Sequence, residues 1–155
     1  ESYLEFAQKH FKASGKRISQ EAFTTVYQEF EGVTWNIHRV MNELFSITPE
    51  GSDCTPDMVA VAISNILRAN EYSYQSTLFQ LPPKQKELMI AICKEGKARN
   101  LTTSAFIRKY HLPGSSSVQS AIKGLLEKDF VTSSLGVYEA SDKFFTAWIL
   151  AHNSV

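Results

Sequence analysis

A run of polar side chains between residues 115 and 123 has the types and spacing needed to contact nucleic acid. The run contains Ser115, Ser116, Ser117, Gln119, Ser120 and Lys123, and it follows the cations Lys97, Arg99, Arg108 and Lys109. Hydroxyl and ammonium groups bind phosphate oxygens, and a glutamine amide can pair with the edge of adenine. The run is therefore a candidate DNA contact, and Lys97, Arg99, Arg108 and Lys109 are candidates for reaching the flanking backbone.

The same polar face also suits a protein partner. It carries no arginine, and the downstream segment Ser133-Ser134-Leu135-Gly136 carries no positive charge. Phosphate contacts supply much of the affinity of DNA-binding proteins, and most recognition helices are therefore more basic than this one. The sequence leaves both partners open, double-stranded DNA or another protein.

Catalytic and metal-binding patterns do not occur in the sequence. The histidines, which are His10, His38, His111 and His152, include no pair four residues apart, and no Cys-x-x-Cys pair exists. Ser116 lacks the Gly-x-Ser-x-Gly turn of a nucleophile, and a serine at a helix start usually caps the helix. We predict that this chain has no catalytic residue, no metal site and no cofactor of its own.

Three helices and a β-hairpin are predicted around the polar run. A helix from Lys84 to Glu95 has apolar residues at helical period, and Thr102 or Thr103 caps a short second helix. The third helix starts at a serine cap within residues 115–117 and carries the polar run opposite an apolar stripe. Strands at residues 130–132 and 137–139 flank a glycine-containing turn. This order predicts a winged helix-turn-helix.

The first half of the chain is predicted to be a bundle of four helices. Ser2 begins the first, Ser19 and Thr34 cap the second and third, and Thr55-Pro56 opens the fourth, which is expected to continue toward Phe79. Pro82 and Pro83 mark a boundary. We therefore predict a mainly α protein, with a helical bundle over residues 1–80 and a winged helix-turn-helix over residues 81–155.

The charge distribution follows the same division. The whole chain has a formal net charge of zero, but Glu1 to Leu81 carries −4 and Pro82 to Val155 carries +4. A basic second half is compatible with nucleic-acid contact. The longest apolar run, Met58 to Ile63, is far too short to span a bilayer, so we expect no membrane partner. Cys93 lies on an apolar helical stripe, where we expect a buried reduced thiol, and this fits a cytoplasmic location.

Aromatic side chains outside the polar run have a structural and a functional interpretation. Tyr72, Tyr74 and Phe79 suit packing between the two halves, with a base-stacking platform as the alternative. Trp35 is interpreted as a core residue of the bundle, with a nucleotide contact as the alternative. Phe144, Phe145 and Trp148 lie on a last helix capped by Ser141 or Asp142 and need a surface to cover.

Two sets of motifs connect the chain with a known family. The first contains Leu81-Pro82-Pro83-Lys84-Gln85, Ala91-Ile92-Cys93-Lys94-Glu95-Gly96, Ser115-Ser116-Ser117-Val118-Gln119-Ser120-Ala121 and Asp142-Lys143-Phe144-Phe145-Thr146-Ala147-Trp148. The second contains Gly15-Lys16, Tyr27-Gln28-Glu29-Phe30-Glu31-Gly32, Trp35 and Asn42-Glu43-Leu44-Phe45. They resemble the C-terminal winged helix and the helical lid, respectively, of archaeal-type P-loop ATPases. These belong to the STAND branch of the AAA-like ATPases and are also common in Bacteroidetes.

The resemblance implies a longer parent protein with an ATPase domain upstream of Glu1. Such ATPases use a Gly-x-x-x-x-Gly-Lys-[Ser/Thr] loop for phosphates and an acidic strand end for magnesium, and this sequence has neither. ATP and magnesium are therefore expected only in the upstream domain, and this chain alone should not hydrolyse ATP. In the family the lid closes over the nucleotide, which makes Arg39 a candidate for facing phosphate. The alternative is a solvated or ion-paired arginine.

The function implied by the resemblance is regulatory. Nucleotide state upstream would move the bundle, and the bundle would reposition the winged helix toward DNA or a protein. One alternative is an autoinhibitory or oligomerising module that contacts only protein. Another is a free-standing transcription regulator whose helical half binds a ligand or dimerises.

Overall fold

Helices dominate the computed structural model, which describes residues 2–153, and the prediction of a mainly α protein is confirmed. The backbone forms two units, one ending at Asn70 and the other beginning at Glu71. The predicted boundary, near Leu81, lies at the opposite end of the helix Glu71–Gln80, which groups with the second unit. Each unit is described separately below.

The first unit contains the four predicted helices. They are α1 (Tyr3–Ala13), α2 (Gln20–Glu29), α3 (Thr34–Ile47) and α4 (Asp57–Ala69). Helix α1 starts with a capping box, since Ser2 Oγ accepts from the Glu5 backbone and Glu5 Oε2 accepts from the Ser2 backbone. Ser19 caps α2 as predicted. Thr34 does not cap α3, because it lies inside the helix and Val33 occupies the cap position without a side-chain bond.

The first unit is not purely helical, which corrects the prediction. Strands β1 (Arg17–Ile18) and β2 (Asp53–Cys54) pair in parallel. Just before these strands, the α1–α2 and α3–α4 loops are joined by a hydrogen bond of 2.7 Å from Gly51 N to Gly15 O. Arg17 and Asp53, which pair in register, also form an ion pair. The pairing fastens the α1–α2 loop to the α3–α4 loop. A strand of two residues has no periodicity, so the sequence pattern does not show it.

The second unit has the predicted winged-helix order, preceded by one helix. Its elements are α5 (Glu71–Gln80), α6 (Pro83–Glu95), α7 (Ser104–Lys109), α8 (Ser115–Glu127), β3 (Val131–Ser134), β4 (Val137–Ala140) and α9 (Lys143–His152). Thr103 caps α7 and Asp142 caps α9, as predicted. The predicted continuation of the fourth helix toward Phe79 is wrong. The Asn70 amide donates to Ile66 O at 2.8 Å where α4 ends, and α5 begins as a separate helix.

The hairpin formed by β3 and β4 is longer than predicted and has a third partner. Its strands pair antiparallel from Val131 with Ala140 to Ser134 with Val137. On the other side of β4, Ala98 and Tyr138 exchange two backbone hydrogen bonds of 2.9 and 2.8 Å. The α6–α7 connection thus adds a single residue to the sheet, beside the second residue pair from the turn of the hairpin, which we call the wing.

The aromatic predictions have mixed outcomes. Trp35 is 66% exposed, so its interpretation as a core residue of the bundle is wrong. Tyr74 packs within the second unit, where its ring lies 5.5 Å from that of Phe145 and 5.8 Å from that of Trp148. Tyr72 and Phe79, on the opposite side of α5, are each 85% exposed. The last helix covers its aromatic side chains as expected, because Phe144, Phe145 and Trp148 are all buried.

The turn of the wing consists of Leu135 and Gly136, both with positive φ, at 50° and 75°. Two positive φ angles are typical of the tight turn that matches strand twist, where asparagine and glycine are favoured and leucine is strained. We expect Leu135→Asn to raise the free energy of unfolding by about 1 kcal/mol, as measured by urea denaturation. Leu135→Val, a branched control that tolerates positive φ even less, should lower it. A loss of stability in both variants would contradict this account.

Candidate nucleic-acid interface

The inner side of α8 anchors it in the core of the second unit. Val118, Ala121 and Leu125 recur at helical spacing and are buried. Gly124 lies where α6 comes close, since a Cβ built there would be 2.2 Å from Gln85 Nε2. Lys128 Nζ donates to the same amide, at 2.8 Å from Gln85 Oε1. This packing fixes the helix and leaves its opposite side toward solvent.

The predicted serine cap of α8 is absent. Gly114 occupies the N-cap position, with φ of 151° and ψ of 167°, and no side chain accepts a hydrogen bond there. The three serines of residues 115–117 are instead the first residues of the helix. Ser115 and Ser116 are exposed. Because their hydroxyls do not cap the helix, they remain available for other contacts.

The outer side of α8 presents an open polar surface. We call it the α8 face, and its members are Ser115, Ser116, Gln119, Ser120 and Lys123, all exposed. Within residues 2–153, the first four make no side-chain hydrogen bond. Lys123 is 79% exposed and its Nζ lies 4.0 Å from Glu127 Oε1, a spacing that gives a weak pair at the surface. The predicted polar run thus lies mainly on one side of one helix.

Ser117 differs from its neighbours because its side chain contacts a residue of α6. It is partly buried, and Lys84 at the start of α6 donates to its hydroxyl at 3.1 Å. The ammonium group of Lys84 therefore lies beside the first turn of α8, next to the α8 face. Lys84 is not among the site residues predicted from the sequence. Its position after Pro82-Pro83 places it in the first turn of α6, but only the packing of α6 on α8 brings it to this surface.

The predicted flanking cations Arg108 and Lys109 have partners within their own region. Lys109 Nζ donates to Glu95 Oε2 at 2.8 Å, and Tyr110 Oη donates to the same oxygen. These two hydrogen bonds hold the pKa of Glu95 below its usual value, and the bond from Lys109 has the larger effect. The hydrogen bond to the Glu95 carboxylate in turn raises the pKa of Lys109. Arg108 Nε donates to Ser104 O at 3.2 Å, on its own helix. Lys109 is therefore largely neutralised by the end of α6.

The Glu95–Lys109 pair gives a pH-dependent contribution with a defined sign. A lowered pKa of Glu95 stabilises the fold above the unfolded value of about 4.3, and this contribution is lost as the pH falls through the folded value. A raised pKa of Lys109 stabilises the fold at pH values below the unfolded pKa of about 10.4, and this contribution is lost as the pH rises through the folded pKa. We expect Lys109→Gln to destabilise the protein at neutral pH, with a difference that shrinks below pH 4 in urea denaturation. A difference that stays constant over this range would contradict the pairing.

The wing adds hydroxyl groups and one charge, the carboxylate of Glu139 on β4. Thr132, Ser133 and Ser134 are exposed along β3, and no charged residue occurs from Val131 to Tyr138. Lys97 and Arg99 flank Ala98, which bridges to Tyr138 on β4, and both are exposed. Most of the cations of this unit thus lie on α6, on α7 and in the connection between these helices.

The candidate residue of the first unit, Arg39, is partly buried on α3. Its guanidinium group has no hydrogen bond or ion pair within residues 2–153. In the same part of the chain, no group of three or more histidine, cysteine or carboxylate side chains has the arrangement needed to hold a metal ion. None of the helices described there combines the length and apolar character required to cross a membrane.

Comparison with known proteins agrees with this geometry. A family model described as a probable winged helix domain matches residues 72–151, which run from α5 to α9 and include the α8 face and the wing. No curated protein and no solved structure is significantly similar to the chain. The match covers slightly more than half of the sequence, and the chain belongs to the family of probable winged helix domains.

Proposed function

We propose that the second unit binds double-stranded DNA through the α8 face. The observation that carries this proposal is a row of hydroxyl, amide and ammonium groups on the exposed side of the third helix of a winged helix. Four of these groups have no intramolecular partner within residues 2–153. Lys84 and Lys123 supply cations beside them, at the start and in the middle of α8. Such groups suit phosphate contacts and one direct base contact, from Gln119.

A protein partner is the second candidate, and two observations favour it. Glu95 neutralises Lys109, and the wing carries no charge between Val131 and Tyr138. A DNA-binding surface that lacks these cations loses part of its electrostatic attraction. The same α8 face would then dock on a polar protein surface. This includes the possibility of an autoinhibitory or oligomerising module.

The P-loop ATPase parent remains part of the proposal, supported by the motif resemblance. In this scheme the first unit is the lid of an upstream nucleotide-binding domain that holds ATP and magnesium, and this chain itself catalyses nothing. Arg39 would face phosphate, and its lack of an intramolecular partner within residues 2–153 fits that role. Sequencing the gene upstream of Glu1 provides the test. An open reading frame without a phosphate-binding loop would instead favour a free-standing transcription regulator.

The DNA proposal is tested by measuring affinity for mixed-sequence duplex DNA while salt rises from about 50 to 200 mM. We expect saturable binding that weakens at least several-fold over this range. The double variant Gln119→Ala, Lys123→Ala should bind roughly tenfold or more weakly, because it removes one base contact and one phosphate contact. The slope of log affinity against log salt concentration should also become shallower by about one, which corresponds to one fewer counterion released on binding.

A matched control is available in the first unit. Gln8 and Lys12 have the same residue types and the same four-residue spacing on α1, and both are exposed. The variant Gln8→Ala, Lys12→Ala removes the same net charge and should bind DNA like the unmodified chain. Equal losses in the two double variants would show that bulk charge, rather than the α8 face, binds DNA. No binding by the unmodified chain at low salt would support the protein partner.

A further inference from the structure

The tip of the wing presents a single large apolar side chain to solvent. Leu135 is 96% exposed, the highest exposure among the large hydrophobic residues of the described chain. It occupies the first turn position between β3 and β4, and Gly136 follows it. A Cβ built on Gly136 would meet nothing within 4 Å, so the space around the tip is open. The leucine therefore extends from the domain without packing on it.

Folding does not explain why leucine occupies this position. Its φ of 50° is in the left-handed region, where asparagine, aspartate and glycine are favoured in two-residue hairpin turns. Its side chain also gains nothing from burial. Residues kept in strained conformations concentrate at functional sites. A contact outside the fold would account for a leucine at this position.

The wing holds Leu135 rigidly at a distance from its base. Four residue pairs join β3 to β4, and the Ala98–Tyr138 pair fastens β4 to the α6–α7 connection. Tyr138 pairs with Ser133, so about two residues of strand, roughly 7 Å, project beyond this bridge to the tip. A rigid projection suits insertion into a partner, because little conformational freedom is lost on binding.

The hydroxyl groups of β3 and the apolar tip suit DNA as that partner. Exposed hydroxyls of Thr132, Ser133 and Ser134 line the approach to the tip and can donate to phosphate and sugar oxygens. Leucine is among the apolar side chains that proteins insert between base pairs from the minor groove, whereas it is under-represented among the dominant residues of protein interfaces. We propose that Leu135 is an apolar wedge that enters the minor groove and partly unstacks one base step. This inference rests on the proposed DNA binding by the α8 face.

Fluorescence of 2-aminopurine tests the wedge directly, because this base analogue brightens when it is unstacked. The full chain is titrated into short duplexes that each carry the analogue beside a different TA or CA step, since these steps deform most easily. We expect a rise in fluorescence in at least one duplex. Leu135→Asn should abolish the rise and weaken affinity roughly tenfold, while Leu135→Met keeps both, because methionine is also used as a wedge.

The choice of asparagine separates binding from folding. Since asparagine suits the positive φ better than leucine, a weaker complex formed by this variant cannot result from an unfolded wing. Salt-dependent binding without any rise in fluorescence would overturn the wedge and leave the DNA proposal standing. Unchanged affinity and fluorescence for Leu135→Asn would also overturn it. No binding to any duplex would overturn both proposals and make the exposed leucine a contact for protein.

Discussion

Leu125→Ala is expected to destabilise the second unit by about 3–4 kcal/mol, a large part of the stability of a small domain. Leu125 is the last residue of the inner stripe of α8 and is fully buried. Removing three carbon atoms there leaves a cavity between α8 and its neighbours, and the close approach of α6 at Gly124 limits how far the helices can relax. The loss would appear as a lower urea midpoint and as weaker DNA binding near the new midpoint.

The two tryptophans report on the two units separately. Trp148 is 4% exposed in the second unit, so its emission should shift to longer wavelength when that unit unfolds. Trp35, in the first unit, is already mostly exposed and should shift little. The matched control is Leu44→Ala, which empties an equally buried position on α3. It should leave the Trp148 transition and DNA binding unchanged. If both variants shift that transition equally, the two units unfold as one.

Long amphipathic helices were predictable because their burial repeats over several turns. The inner residues of α6, which include Leu88, Met89 and Ile92, are buried as the 3.6-residue period predicts. By contrast, β1, β2 and the single bridging residue Ala98 are too short for any period to be visible. Trp35 shows the opposite error. Its large apolar side chain at a helix start predicts a position in the core, but the hydrophobicity of one residue does not determine its side of a helix.

The candidate site was predictable to the extent that it depends on one helix. Gln119 and Lys123 are four residues apart, so their common exposure follows from helical geometry once the inner stripe is known. The position of Lys84 beside Ser117 depends on how α6 packs against α8, and the neutralisation of Lys109 depends on Glu95, fourteen residues earlier. Contacts between helices leave no local pattern in the sequence. The wing leucine was visible in the sequence, but its exposure and positive φ were not.

Gly114→Ala is expected to lower the free energy of unfolding by about 1–3 kcal/mol and to weaken DNA binding several-fold. The φ of 151° and ψ of 167° at Gly114 belong to a region of backbone conformation that is essentially restricted to glycine. A Cβ would meet nothing within 4 Å, so the cost lies in the backbone itself rather than in a collision. The Gly114→Ala variant relieves this strain by changing the turn that begins α8. That change moves Ser115 and Ser116 relative to Lys84, and the α8 face loses its arrangement.

Gly96→Ala distinguishes lost stability from lost positioning. Gly96 ends α6 with φ of 77°, and a Cβ there also meets nothing within 4 Å, so alanine is strained at this position for the same reason. Gly96 is not part of the turn that begins α8, and its variant should lose stability while the folded fraction binds DNA normally. Affinity is therefore compared well below both unfolding midpoints, with the folded fraction measured by circular dichroism. If the two variants bind equally well there, the start of α8 does not position the binding residues. If only Gly114→Ala binds weakly, the geometry that glycine allows at the N-cap is a requirement of the α8 face as well as of the fold.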